Sequence, residues 1–314
     1  MEELEAHRPA LVGHCYRMLG SAVDADDAVQ EVMVRAWRHR DSLAEDAKLG
    51  AWLHRIATRV CLTALAERHR RTRPMVEQPA GTPTTELTTR EASHWIEPIP
   101  DALVIPDGAT PLQQVTLRER VRLAFVTALQ QLPPKQRAAL LLVEVVGLSA
   151  TETADALETS VPSVNSALQR ARAKLEQLGE APSGAQLTDS QRALVDRFVA
   201  AFVDYDPDQL TALMHEDAAL SMPPYELWLQ GHESLREWFR TRGSGCHGSR
   251  LVPTSANGSP AFLHYRAADD GGHAAWALVV LELRGERIEE MANFLDVEAI
   301  FPLFDAPLRL PPTR

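Results

Sequence analysis

Arginines and short polar side chains between Val161 and Lys174 have the residue types that bind nucleic acid. Val164, Leu168 and Ala171 recur at helical spacing and predict a buried face. The side chains left facing outward are Ser163, Asn165, Ser166, Gln169, Arg170 and Arg172. Arginine and amide groups hydrogen-bond to base edges in the major groove, and arginine also pairs with phosphates. The chemistry indicated is non-covalent recognition of DNA.

Two short helices joined by a turn are predicted to position these side chains. Ser149 and Glu152 form an S-x-x-E capping box at the start of the first helix. Residues 158–160 break the pattern, Ser160 can cap the second helix, and Pro162 is tolerated in its first turn. This layout is typical of a helix-turn-helix, although a solvated basic helix would show the same spacing.

Length and composition fit two or three globular domains. The 314 residues are 45% hydrophobic and 24% charged. No apolar run reaches bilayer length, and the acidic start lacks the order of a secretory signal, so we expect a cytoplasmic protein with no membrane partner. The cysteines Cys15, Cys61 and Cys246 are far apart, which argues against a disulfide framework and a zinc site.

The net charge of -11 is unevenly distributed along the chain. Residues 112–175 carry 8 basic and 5 acidic side chains, whereas residues 176–314 carry 11 and 21. Between Arg55 and Arg73, six arginines accompany one acid, Glu67. Two basic helices separated by a linker suit a contact with two patches of nucleic acid, whereas phosphates would repel the acidic C-terminal third.

Three helices are predicted before residue 73. The first covers residues 9–20 and ends at Gly20, and Ser21 with Asp24 caps the second. A polar loop at 41–50 leads to a third helix over about 51–69. Its apolar residues share one face and leave Arg55 and Arg59 together on another.

Two stretches, in this order and at this separation, resemble regions 2 and 4 of an extracytoplasmic-function (ECF) sigma factor. The first comprises DADDAVQEVMVRAWRHR and GAWLHRIATRVCLTALAERHRR, and the second is LPPKQRAALLLVEVVGLSATETADALETSVPSVNSALQRARAKL. The resemblance covers roughly residues 1–175. It implies a transcription initiation factor that is not an enzyme, needs no cofactor, binds RNA polymerase core and directs it to promoter DNA.

The resemblance also implies roles for individual residues. The residues implied to bind polymerase core are Asp24, Asp27, Gln30 and Glu31. Trp52, Arg55 and Arg59, with the loop before them, would open and read the minus-ten element, and the helix from Val161 to Lys174 would read the minus-thirty-five element. Asn165 departs from the Lys or Arg that family members often carry there. We expect Trp37 to be packed in the core.

Residues 74–111 are rich in proline and threonine and lack periodicity, which predicts an extended linker. Within it, Trp95, Ile96 and Ile99 are too apolar to remain in solvent, so we expect this piece to dock on another domain. Helices over 112–131 and 134–146 follow, and Gly147 is the expected C-terminal cap of the second.

The C-terminal third is predicted to be an α+β domain. Thr188 and Gln191 cap an amphipathic helix, and later runs that read as strands are separated by turns such as Asn257-Gly258 and Arg284-Gly285. We expect helices followed by a curved antiparallel sheet around a central pocket. This third resembles SnoaL-like domains of the nuclear-transport-factor superfamily. The resemblance implies a domain that regulates the sigma segments in cis.

Related domains include polyketide cyclases and ketosteroid isomerases, which use a pocket carboxylate or histidine as general base. The candidate pocket residues are His215, Asp217, Tyr225, Trp228, His232, His264, Trp276 and Asn293. An enzyme needs a base and an electrophilic donor that converge on one substrate atom. We prefer the interpretation that these groups satisfy internal hydrogen bonds or contact the sigma segments. The histidine spacing does not match a metal site, so no metal is expected.

The predicted organisation is two all-α sigma domains followed by the α+β domain. Region 2 is expected at 1–73, the linker at 74–111, region 4 at 112–178 and the SnoaL-like domain at 188–314. A fused small-molecule sensor or a cyclase or isomerase remains the alternative for the last domain. A dimeric repressor is a third hypothesis for the helix-turn-helix.

Overall fold

The computed structural model describes residues 2–40, 48–66, 70–178 and 187–312. The chain divides into two compact units, one of residues 1–72 with 102–181 and one of residues 73–101 with 182–314. Three predicted features lie outside the described residues: most of the polar loop (41–47), the basic Arg68 within 67–69, and the domain boundary at 179–186.

The helices and strands are numbered along the chain. The helices are α1 (Glu2–Glu5), α2 (Arg8–Leu19), α3 (Ala22–Arg38), α4 (Leu49–Ala66), α5 (Pro74–Glu77), α6 (Asp101–Val104), α7 (Pro111–Glu119), α8 (Leu123–Gln130), α9 (Pro134–Leu140), α10 (Ala150–Ala156), α11 (Val161–Leu178), α12 (Asp189–Val203), α13 (Pro207–Ala212), α14 (His232–Arg240) and α15 (Val297–Ile300). The strands are β1 (Met214–Ser221), β2 (Trp228–Gln230), β3 (Arg250–Ala256), β4 (Ser259–Ala267), β5 (His273–Arg284), β6 (Arg287–Phe294) and β7 (Arg309–Leu310).

In the first unit, α2, α3 and α4 pack against one another as a three-helix bundle. Leu11, Val29 and Leu53 are fully buried between them. Gly20 ends α2 in the left-handed region, at φ 75°. The Ser21 hydroxyl then accepts a hydrogen bond from the Asp24 amide at 3.0 Å, which confirms the predicted cap of α3.

The rest of the first unit consists of α7 to α11, with α9 packed on α11. The single helix predicted over 112–131 is wrong, because α7 ends at Glu119 and α8 begins at Leu123. Val121 and Leu123 are both buried. Residues two apart lie on different faces of one helix, so the break allows both side chains to reach the core. The backbone after α9 widens into a π-helical turn that ends at Gly147, with φ 83°, the predicted cap.

The second unit is a seven-stranded sheet with helices packed against it. The strand order is β2-β1-β6-β5-β4-β3, and β7 pairs with β5. The sheet is antiparallel as predicted except at one pairing, where β1 runs parallel to β6. β1 was not predicted as a strand because three successive residues, 215–217, are not buried and its register shifts between Met214 and Ala219. Both features hide the alternation that identifies a strand.

Residues 73–101, here called the connector, belong to the second unit. The Gly81 amide donates to the Trp228 carbonyl at 2.9 Å, and the Arg90 amide donates to the Pro224 carbonyl at 3.1 Å. Ile99 exchanges two hydrogen bonds with Asn257, both of 3.0 Å. Trp95 is only 2% exposed. The segment between the two sigma-like parts is therefore held along its length by the C-terminal sheet unit.

Candidate nucleic-acid interface

The start of α10 is fixed by a reciprocal capping box. The Ser149 amide donates to Oε2 of Glu152 at 2.8 Å, and the Glu152 amide donates to the Ser149 hydroxyl at 3.2 Å. Hydrogen bonds from Ser149 lower the pKa of Glu152, so its carboxylate stays charged at the positive end of the helix. The box predicted for Ser149 and Glu152 is confirmed.

The turn between α10 and α11 uses one residue in the left-handed region. Glu158 has φ 51°, and the Thr159 amide donates to the Ala154 carbonyl at 2.9 Å. The Ser160 hydroxyl then accepts from the Ser163 amide at 3.4 Å. The two helices are thus joined by a short turn, as a helix-turn-helix requires.

The outward face of α11 carries most of the predicted recognition residues. Val164, Leu168 and Ala171 are buried. The exposed residues are Ser163, Asn165, Gln169, Arg170 and Arg172, and Ser166 is half-buried. The structure therefore places the predicted set on the side of the helix away from the core, where it can meet a groove.

Two side-chain contacts hold the arginines of this face. Arg170 donates from Nη1 to the Ser166 hydroxyl at 2.8 Å. Arg172 pairs with Glu144, with Nε donating to Oε1 at 3.1 Å. Glu144 lies in the preceding π-helical turn and was not identified from the sequence, since it is 28 residues away. Both side chains of that pair are exposed, so the pair can exchange for a phosphate contact at little cost.

The predicted minus-ten residues on α4 do not form one exposed group. Trp52 and Arg55 are half-buried, whereas Arg59 is exposed. The Arg59 guanidinium donates hydrogen bonds to the carbonyls of Asp155 and Ala156 at the end of α10, and it forms an ion pair with Glu158. The loop residues 41–47 that were expected to act with them lie outside the described residues.

The predicted polymerase-binding residues on α3 also divide into two kinds. Asp27, Gln30 and Glu31 are exposed. Asp24 instead receives a hydrogen bond of 3.0 Å from Nη2 of Arg71, and both side chains of this ion pair are largely buried. Asp24 therefore ties the chain after α4 to the start of α3 and does not face outward with the other three.

A mixed apolar and polar stripe runs along the outside of α3. The prediction that Trp37 is a core residue is wrong, because its side chain is 63% exposed, and Val34 is 42% exposed. The exposed residues at helical spacing are Val23, Asp27, Gln30, Val34 and Trp37, here called the α3 stripe. They lie opposite the buried face that includes Val29 and Val32. The spacing of i, i+4, i+7, i+11 and i+14 was readable from the sequence.

The second unit contains a cavity of about 40 Å³. The residues that line it are Phe202, Tyr205, Leu220, Met222, Trp238, Phe239, Gly243, Cys246, His264, Trp276, Met291, Asn293 and Leu295. Among these described residues there is no Asp or Glu. A cavity of this size holds about one water molecule, far less than the several hundred Å³ of a typical ligand pocket.

Three of the eight predicted pocket residues, His264, Trp276 and Asn293, line this cavity. His264 shares a hydrogen bond of 2.8 Å with the Ser249 hydroxyl, and burial lowers its pKa to about 3. Its ring is therefore neutral at physiological pH and a weak base. Cys246 also lines the cavity, and burial raises the pKa of its thiol.

The other five predicted pocket residues lie elsewhere. The Trp228 indole donates to the Gln78 carbonyl at 2.9 Å, and Tyr225 pairs with Thr89, so both contact the connector. His232 lies 3.0 Å from the Met214 carbonyl. The remaining two, His215 and Asp217, are neighbours on β1, where the Asp217 amide lies 3.3 Å from Nδ1 of His215. Within the described part of the chain, no cluster of three or more His, Cys, Asp or Glu could hold a metal ion.

Comparison with known proteins defines the class to which these surfaces belong. Residues 4–71 match sigma-70 region 2, residues 122–175 match sigma-70 region 4, and residues 195–291 match the SnoaL-like domain. The combination is that of a sigma-70-type transcription factor with an added α+β domain. Among the described residues, no helix is long and apolar enough to cross a membrane.

The relatives narrow the class to one family. The chain is 43% identical over 311 residues to the ECF RNA polymerase sigma factor SigG of Mycobacterium tuberculosis, covering 96% of this chain and 82% of that protein. It is 30% identical over 223 residues to SigJ of the same organism, covering 70% of this chain and 64% of SigJ. The crystal structure of SigJ shares the fold, with a TM-score of 0.63, 21% identity, and coverage of 98% and 99%. The chain belongs to the ECF RNA polymerase sigma factors, as its sequence resemblance indicated.

Proposed function

We propose that this sigma factor binds RNA polymerase core through the α3 stripe and reads promoter DNA through α4 and α11. The observation that supports the core contact most directly is the exposure of Trp37 and Val34 beside Asp27 and Gln30. Large apolar side chains grouped on a surface mark protein interfaces, and tryptophan is enriched among the residues that dominate binding energy. Because polymerase acts in the cytoplasm, we place the protein there.

The upstream promoter element is assigned to the outward face of α11. Arg170 and Arg172 can reach phosphates or guanines, and Gln169 and Asn165 can donate to and accept from base edges. Amide side chains pair best with adenine, so Asn165 gives this chain a base preference different from that of relatives with Lys or Arg there. Glu144 repels phosphate and would release Arg172 when α11 enters the groove.

The C-terminal unit is assigned a regulatory role in cis, which acts through the connector. Because residues 73–101 join region 2 to region 4 in the chain, their docking on the sheet unit limits how far the two regions can separate. Trp95 anchors this docking, with its indole donating to the Pro224 carbonyl at 3.2 Å. A population shift between docked and released connector would change how many chains can bind promoter DNA.

The alternative of a catalytic or ligand-sensing C-terminal unit receives less support. The cavity holds about 40 Å³ and is lined by no carboxylate among the described residues, and its one histidine is held neutral by burial. General acid-base catalysis needs a group whose pKa lies near the working pH. The arrangement therefore favours regulation through protein contacts. A small molecule would have to enlarge the cavity before binding.

The core contact can be tested with Trp37→Ala in the full chain. We expect at least a ten-fold loss of affinity for core polymerase, since exposed tryptophans at interface centres are worth about 2 kcal/mol or more. Affinity would be measured by titration of labelled protein with core enzyme, and activity by run-off transcription.

Leu112→Ala is the matched control, because Leu112 is 78% exposed on α7 of the same unit but lies outside the α3 stripe. Its affinity should equal that of the wild-type chain. Equal affinities for Trp37→Ala and Leu112→Ala would show that the α3 stripe is not the core-binding surface. A wild-type chain that does not bind core polymerase would overturn the proposed function itself.

A further inference from the structure

Two buried histidines lie against each other between α2 and α4 in region 2. His14, on α2, has no exposed surface, and His54, on α4, is 8% exposed. Their ring centroids are 5.2 Å apart, and the rings meet edge to face at 84°. Neither histidine belongs to the surfaces assigned to core or DNA binding. Because histidine is the side chain that ordinarily titrates near neutral pH, a buried pair makes the packing of α2 on α4 sensitive to protons.

The hydrogen bonds around His14 determine which of its ring nitrogens carries the hydrogen. The Thr58 hydroxyl donates to the His54 carbonyl at 2.8 Å. A hydroxyl has one hydrogen, so toward Nε2 of His14, which lies 2.9 Å away, it accepts. Nε2 therefore carries the hydrogen of a neutral ring and Nδ1 carries none. Nδ1 is buried and has no hydrogen-bond partner among the described residues, so a proton added there would meet no acceptor.

Positive charge already surrounds the pair. Arg17 is 4% exposed, and its Nη1 would lie only 3.3 Å from a Cβ placed on Gly13, so the guanidinium folds back along α2 beside His14. Burial lowers the pKa of both histidines, and the charge of Arg17 lowers it further. His7, which precedes α2, acts on His54 in the same direction. A proton on His14 would therefore lie beside an existing like charge.

The helices packed against α2 and α4 offer the two rings no negative partner within the described part of the chain. α8 carries no titratable side chain. The cations beyond the pair are Arg120, which acts on Arg17, and Arg137, which acts on Cys61. The acids of these elements are exposed or engaged elsewhere: Asp24 with Arg71, Asp26 with Arg8, Glu31 with Arg35, Glu144 with Arg172, Glu152 with Ser149, and exposed Asp27 and Asp155.

We propose that His14 makes region 2 a proton-sensitive fold: its ring stays neutral while α2 and α4 are packed and takes up a proton when they separate, so acid favours the separated state. The proposal goes beyond the proposed function and does not depend on it, because it concerns the free chain. Proteases cleave the opened state of a protein, so acid shortens the lifetime of the free chain. The amount of factor available for transcription then falls with pH.

The direction and size of the effect follow from the linkage between proton binding and opening. A histidine exposed by opening has a pKa of about 6.5, whereas packed His14 binds no proton, so the stabilisation is complete above that pH and is lost as the pH falls below it. From pH 7.5 to 5.5 the opening constant should rise about ten-fold for His14 alone, and up to about a hundred-fold if His54 also stays neutral when packed. Carboxyl groups, with ordinary pKa values of about 4, contribute little in this window.

Two buried thiols can report the opening. Cys15, next to His14 on α2, and Cys61, on α4, are both fully buried. The full chain would carry Cys246→Ser, so that these two are its only thiols. Their reaction with 4,4′-dithiodipyridine, which labels thiols in acid, is followed from pH 7.5 to 5.5. The rate divided by that of glutathione at the same pH gives the opening constant.

His14→Gln should reduce the rise in the opening constant between pH 7.5 and 5.5 by about ten-fold, because glutamine can donate to Thr58 but does not titrate. His14→Phe is a second variant without a titrating group. Each variant is compared with itself at the two pH values, so a loss of stability that is independent of pH cancels. The matched control is His39→Gln, the same substitution at an exposed site of the same unit, which should keep the full rise.

The lifetime of the free chain is tested with papain, which is active across this range. The ratio of the wild-type lifetime to that of His14→Gln should fall about ten-fold from pH 7.5 to 5.5, since the activity of the protease cancels in the ratio. A constant ratio would overturn the effect on lifetime. The proposal as a whole is overturned if the wild-type opening constant rises less than about three-fold, or if a folded His14 variant shows the same rise as His39→Gln.

Discussion

Arg137→Ala should destabilise the first unit strongly, because this guanidinium serves four buried acceptors. The acceptors are the carbonyls of Met18, Gln130 and Leu132 and the side-chain oxygen of Gln130. Removing one partner from a buried, hydrogen-bonded charge network costs about 3–5 kcal/mol, since the groups that remain lose their partners without regaining water. We expect a loss of that size for Arg137→Ala, and about half of it for Arg137→Lys, which keeps the charge but not the planar fork.

Native-state hydrogen exchange measures this loss in the full chain without assuming that the two units unfold together. Peptides from α2 and α9 should exchange with an opening free energy about 3–5 kcal/mol lower than in the wild-type chain. Peptides from β4 and β5 of the second unit serve as an internal control and should not change. Lys135→Ala removes a positive charge from an exposed site on the same helix and should leave α2 unchanged. A change below about 1 kcal/mol at α2 in Arg137→Ala would refute the assigned role of the network.

Two further predictions concern DNA and the connector. If Arg172 neutralises one phosphate, Arg172→Ala should weaken the binding of the polymerase complex to DNA almost equally on all promoter sequences. The slope of log binding constant against log salt concentration should fall by about 0.9, measured by fluorescence anisotropy at several salt concentrations. An unchanged slope would exclude the phosphate contact. Trp95→Ala should release the connector, which would be seen as faster tryptic cleavage after Arg90, and should change activity in run-off transcription. Trp276→Ala in the same unit is the control and should change neither the cleavage rate nor the activity. Release of the connector without any change in activity would contradict regulation in cis.

Features set by local sequence were predictable. The capping boxes at Ser149 and Thr188 and the end of α2 at Gly20 depend on residues within four positions of one another, and all three are present. The α3 stripe was missed for a different reason. Trp37 was assigned to the core by residue type, although its position on the helix places it opposite the buried face. Helical spacing was the better guide than hydrophobicity for this residue.

Features that depend on distant residues were not predictable. Arg59 contacts α10 across 97 residues, and the sequence near Arg59 carries no sign of that partner. The residues that line the cavity could not be predicted for the same reason. The predicted polar residues are spread over several strands, and the pairing of those strands determines which side chains face inward. Strand β1 carries His215 and Asp217 away from the cavity, whereas β4, β5 and β6 carry His264, Trp276 and Asn293 into its lining.

The basic residues of the sigma regions do not all contribute to DNA binding. Arg137 and Arg17 are nearly inaccessible to solvent, so their charges lie within the packed helices and not on the surface that faces phosphate. Arg170 and Arg172 are exposed, and their side-chain partners among the described residues, Ser166 and Glu144, can be replaced by water or phosphate. A count of positive residues therefore overstates the attraction of region 4 for DNA. If α11 reads promoter DNA as proposed, the electrostatic term in binding depends on the exposed arginines of that helix.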